Sequence, residues 1–88
     1  MDRKYDAKDY AQNPGKYRLF KTAQIACNVL THNGAQDIPQ GAHVAIEYHC
    51  EAFNALFRRK EPVYKVSGPA FKEPFRVLYA NTLKNFVL

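Results

Sequence analysis

His43, His49 and Glu51 are residues of the kind that bind metal ions, and Cys50 stands beside His49 as a thiol nucleophile stands beside its base. The spacing argues against both chemistries. On a strand rising about 3.3 Å per residue, His43 and His49 are roughly 20 Å apart and cannot share an ion. His49 and Glu51 supply two ligands where a catalytic zinc takes three from the protein, and His32 completes the set only if its hairpin folds over that face. Adjacent strand residues point to opposite faces, so His49 does not reach Cys50. Residues 22–57 contain no Lys or Arg, which leaves no cation there to hold a thiolate. There is no Gly-rich phosphate loop, nucleophile elbow or pair of carboxylates. The sequence therefore predicts a protein that is not an enzyme and carries no metal or cofactor.

The stronger signal is the interleaving of cations with rings. Lys4-Tyr5, Lys16-Tyr17-Arg18 and Phe20-Lys21 provide it near the N-terminus, and Phe57-Arg58-Arg59-Lys60, Tyr64-Lys65 and Phe71-Lys72 provide it further on. Arg and Tyr supply much of the energy of protein interfaces, so this pattern suits a surface that docks on an acidic protein. The candidate contact residues are Tyr17, Arg18, Arg58, Arg59, Lys60, Tyr64 and Lys65. Nucleic acid is the alternative partner, with Tyr5, Tyr17 or Tyr64 stacking on bases of RNA or single-stranded DNA and Arg58, Arg59 and Lys60 on phosphates.

The charge distribution agrees with a surface built by both ends of the chain. The 88 residues carry a formal charge of +5, and residues 22–57 hold three acids (Asp37, Glu47, Glu51) and no base. The two flanks are expected to converge into one cationic, aromatic patch over a neutral middle. The two cysteines, Cys27 and Cys50, are too few for a disulfide scaffold and read as reduced, mostly buried residues.

These residues need elements to position them. Residues 1–16 are polar and end in Asn13-Pro14-Gly15, which predicts an N-terminal arm or a short helix lying on the main body. Residues 17–88 form the single folded domain. Within 17–30, Ile25, Cys27 and Val29 alternate with Ala26 and Asn28, the period of a half-buried strand, and the stretch runs into a hairpin signal at Asn33-Gly34. Residues 42–50 are the clearest strand, with Val44, Ile46, Tyr48 and Cys50 on one face and His43, Ala45, Glu47 and His49 on the other. Residues 51–57 fit either a strand continued through a bulge or one helical turn. Further short strands follow at 62–66 and 75–80, then a tight helical turn and a last strand near the C-terminus. About five short antiparallel strands with little helical periodicity predict a mainly β chain closed as a small barrel, which also hides its sheet edges.

That order resembles the SH3-like barrels: strand, long loop, three strands, tight helical turn, short strand. The turn falls at Tyr79-Ala80-Asn81-Thr82-Leu83, where SH3 domains of signalling proteins often carry Pro-Ser-Asn-Tyr, and Asn81 matches it in kind. The family's grip on polyproline does not carry over, because its groove includes a tryptophan and this chain has none. Type II dihydrofolate reductases share the small SH3-like architecture and carry Val-Gln-Ile-Tyr on the active strand. Here Arg76-Val77-Leu78-Tyr79 keeps only the tyrosine, which argues against that activity.

No stretch approaches the roughly 20 apolar residues of a membrane helix, and residues 1–6 lack the apolar block of a secretory signal. A cytoplasmic protein without a membrane partner is expected. Small basic chains of this kind are encoded by phages and mobile elements to act on host machinery, an analogy drawn from size. The apolar tail Phe86-Val87-Leu88 supports a third reading, a small homo-oligomeric structural subunit.

Overall fold

The computed structural model describes residues 3–27, 38–69, 71 and 74–88. Two six-residue helices, α1 (Ala7–Gln12) and α2 (Pro14–Leu19), precede five strands: β1 (Thr22–Ile25), β2 (His43–Asn54), β3 (Arg59–Ser67), β4 (Arg76–Tyr79) and β5 (Leu83–Val87). All ladders are antiparallel, in one sheet of order β4-β3-β2-β1-β5. A turn of 3-10 helix, Ala80–Thr82, joins the two edge strands. The chain is mainly β, as its alternation predicts.

The sheet curls on itself. β3 and β5 are three strand spacings apart in the order, roughly 14 Å if the sheet were flat, yet the rings of Tyr64 and Phe86 approach to 5.7 Å. The curl encloses a core of Ala23, Ile25, Ile38, Val44, Ile46, Tyr64, Val66, Phe71, Ala80 and Leu83. The alternation of β2 is observed, with Val44 and Ile46 buried between exposed neighbours.

Residues 51–54 continue β2 rather than turning into a helix. The continuation passes a bulge, because β2 has one residue more than β3 between the Tyr48–Tyr64 and Cys50–Val63 pairs. β3 begins at Arg59, ahead of the expected Pro62. β4 pairs only with Val63–Val66, so the missing N–H of Pro62 breaks no bond to β4. Residues 61–64 are buried one after another, which means both faces of β3 are covered there.

The N-terminal segment is folded onto the sheet. Asp6 caps α1 by accepting from the Lys8 amide at 2.9 Å, and Pro14 occupies the first turn of α2, where its absent N–H costs nothing. α2 runs across the expected boundary between residues 16 and 17, and residues 17–19 are helical instead of starting a strand. β1 also ends earlier than the alternation implies. After Ile25 the Ala26 amide bonds to the Thr82 carbonyl, the chain leaves the ladder, and Cys27 is exposed rather than in the core. Cys50 is half-buried, and neither cysteine forms a disulfide. The expected hairpin at Asn33-Gly34 lies outside the described residues. Among the described residues no helix is long and apolar enough to cross a membrane.

Candidate functional site

The cations that the sequence would gather into one patch are divided: Arg58, Arg59 and Lys60 lie on the β2–β3 hairpin tip, Arg3, Lys4 and Lys16 line a cleft where residues 3–20 meet β5, and Arg18 and Lys65 belong to neither.

The tip is built around a buried carboxylate. Glu61 is fully buried, and its two oxygens accept from Asn54 Nδ2 at 2.8 Å and Arg59 Nε at 2.9 Å. Asn54 Oδ1 in turn accepts from the Leu56 amide at 3.0 Å, which sets the turn at residues 55–58. The hydroxyl of Tyr79 donates to the Phe53 carbonyl, tying the strand end to β4. Arg58 closes the turn at φ 52°, in the left-handed region that Gly occupies at least cost. This frame holds Arg58, Arg59 and Lys60 at the surface, together with the exposed apolar side chains of Phe53, Leu56 and Phe57. The Arg59 guanidinium lies over the Phe57 ring, 4.9 Å from its centroid, so this arginine is engaged on both sides.

The cleft measures about 700 Å³. One wall is residues 3–5, laid along β5 by an antiparallel bridge between Lys4 and Lys84. β5 carries an extra residue opposite Thr22–Gln24, and Asn85 takes a left-handed conformation there, φ 54°. With its backbone turned in this way, Asn85 bonds Arg3 twice: its amide donates to the Arg3 carbonyl at 2.8 Å and its Oδ1 accepts from the Arg3 amide at 2.6 Å. The bulge thereby places Arg3 and Lys4 on the rim. The opposite wall comes from the helices, where Asp9 accepts from Lys16 Nζ and from the Tyr17 hydroxyl, each at 2.7 Å. These bonds, that of Lys16 first, hold the Asp9 carboxyl below its usual pKa.

The floor of the cleft is aromatic. Phe20 and Phe86 lie 5.1 Å apart with their planes tilted by 30°, and Tyr17 meets both near edge-on. Beneath it, Tyr17 also packs on Tyr5 and Tyr10, and the Tyr64 hydroxyl donates to the Tyr17 carbonyl at 2.7 Å. Tyr10 bonds Glu51 on β2. Burial, with lesser contributions from the nearby carboxylates Glu61 and Glu51, pushes the Tyr5 phenol up to about 12. Burial likewise raises Tyr10, Tyr17 and Tyr64 above the ordinary phenol value.

The candidate contact residues therefore separate. Arg58, Arg59 and Lys60 are together on the tip. Arg18 is exposed but stacks over Tyr48, 5.4 Å from the ring centroid, about 20 Å along β2 from Asn54. Lys65 is half-buried over Phe75 on the β4 side. Tyr17 and Tyr64 are corrections. They are 4% and 0% exposed and form the interior, so neither can present a ring to a partner; Tyr5 is half-buried against the same cluster. In the apolar tail, Phe86 packs inward while Val87 and Leu88 are exposed.

The sequence reading counted Phe57 among the rings beside cations but passed over Phe53 and Leu56, although five mostly apolar residues directly before an Arg-Arg-Lys run signal a tip with no inner face to hide them. It also left Phe86 out of the site. His43, His49 and Glu51 are exposed, His32 lies outside the described residues, and among the described residues no three His, Cys, Asp or Glu are grouped to hold a metal. Comparison with protein-family models, curated proteins and solved structures finds no match to this chain.

Proposed function

We propose that the chain is a non-enzymatic binding module that engages an acidic protein through its β2–β3 hairpin tip. The observation that carries this reading is Arg58. A left-handed turn position favours Gly or Asn, and placing arginine there costs about 1–2 kcal/mol of backbone energy. Strain of this kind is retained where a side chain is needed in place. The neighbouring Lys60, with Phe53, Leu56 and Phe57 around it, adds charge and apolar area of the sort that anchors an interface. We also propose an SH3-like barrel as the scaffold; the strand order and the 3-10 turn between β4 and β5 support it.

Structure alters the choice of variant. Replacing Arg59 uncovers the buried carboxylate of Glu61, so loss of binding by an Arg59 variant would be mixed with loss of fold. The double variant Arg58→Gly, Lys60→Ala removes two exposed charges and relieves the turn, and its thermal stability should equal or exceed that of the parent. In capture from nuclease-treated lysate, the parent should retain a stoichiometric protein that elutes as salt rises, and the double variant should lose it. Capture abolished by nuclease points instead to nucleic acid, and equal capture by both chains overturns the assignment to the tip.

A further inference from the structure

We infer that the cleft between residues 3–20 and β5 is a binding site for a nucleoside monophosphate group, its ring on Phe20 and Phe86 and its phosphate between Arg3 and Lys4. A volume of about 700 Å³ falls within the range of sites that enclose small molecules, roughly 300–1,000 Å³. The lining fixes the class of occupant. An aromatic floor at one side and cations on the rim fit a ligand with a flat apolar end and a negative end. A wholly apolar ligand would use the floor and make no contact with the charges of the exposed rim cations.

Charge decides how many phosphates. Five charged side chains line the cleft: Arg3, Lys4, Lys16, Asp6 and Asp9. Lys16 and Asp9 neutralise each other in an ion pair at 2.7 Å, and Asp6 is engaged at the start of α1. Arg3 and Lys4 have no ion-pair partner among the described residues. With Lys16 and Asp9 paired, Arg3 and Lys4 outweigh the remaining Asp6 by one charge, which suits the single anionic group of a phosphate monoester, about −1.5 to −2 near neutrality, better than a longer phosphate chain. A triphosphate would meet Asp6 and Asp9 with its excess charge uncompensated. The same group could arrive free in solution or as the 5′ end of a strand.

Calorimetric titration of the full chain with AMP, adenosine, inorganic phosphate and a 5′-phosphorylated dinucleotide tests this. Stacking is worth about 1–3 kcal/mol per base, so AMP should bind at least about fivefold more tightly than phosphate. Losing charge-assisted contacts of about 1.5–3 kcal/mol should weaken AMP at least about tenfold in the double variant Arg3→Ala, Lys4→Ala and leave adenosine unchanged. Both side chains are exposed and the bonds to Asn85 use the Arg3 backbone, so the variant should keep its thermal stability. A dinucleotide that binds more tightly than AMP identifies a strand end, and equal or weaker binding identifies the free nucleotide. AMP no tighter than phosphate, AMP binding unchanged in the variant, or AMP-induced amide shifts centred on residues 53–60 rather than on Phe20 and Phe86 would each overturn the site.

Discussion

The hairpin tip and the cleft use the same residue types to opposite effect. At the tip, apolar side chains and cations project outward from a turn braced from within by the buried carboxylate of Glu61. In the cleft, the rings face inward, the acid is paired, and two cations at the rim remain without an ion-pair partner among the described residues. The contrast teaches that a ring beside a lysine in sequence says little about what the ring does. The surrounding backbone decides whether it becomes floor or protrusion.

The most damaging way to break the comparison is to remove the floor. Tyr17→Ala deletes a buried ring that touches Tyr5, Tyr10, Phe20 and Phe86. It should cost about 3–5 kcal/mol in denaturant unfolding, the usual loss for a large core aromatic. A loss under about 1 kcal/mol would mean that the ring is not part of the core.

Glu61→Ala should cost less, about 2–3 kcal/mol, because Asn54 loses a buried acceptor while the half-exposed Arg59 can turn to water. Its particular signature is local. Amide exchange should rise at residues 53–60 before the rest of the sheet, and an unchanged pattern there would show that the carboxylate does not organise the turn.

The gentlest probe is alkaline pH. A phenol with a raised pKa in the folded state keeps its proton when the unfolded chain would lose it. Its stabilisation is therefore complete below about pH 10 and is lost as pH climbs toward 12 and beyond. Tyr5, Tyr10, Tyr17 and Tyr64 all behave in this way. Stability should fall above pH 10, and tyrosinate absorbance from this cluster should appear together with the loss of aromatic circular dichroism. Ionisation of all six tyrosines with the aromatic signal intact would contradict the packing.

Much of the sheet was legible because period two survives in β2, where Val44, Ile46 and Tyr48 must face the same way. The helices were faint: each has six residues, too few for a 3.6-residue period to repeat, and they are held by Tyr10 and Tyr17 docking on the sheet rather than by their own propensity. The tyrosines of the candidate surface were misread for a related reason. In Lys16-Tyr17-Arg18 and Tyr64-Lys65 the cations turn toward water and the rings away from it, which is how a half-buried element sorts adjacent side chains. Cys27 was misplaced because its alternation extends past the point where the Thr82 carbonyl draws the chain off the ladder. The cleft depends on Arg3 meeting Asn85, a contact between chain segments with no shared pattern.

That long-range meeting also sets the order of assembly. The hairpin tip closes between residues 53 and 61, and short loops form early because little chain entropy is lost in closing them. The cleft needs Gln24 to find Asn85, 61 positions away, with residue 3 then added along β5. A partly assembled chain would thus display its cationic turn before it possesses any concave site. A ligand specific to the cleft would bind only the finished molecule and drive its completion.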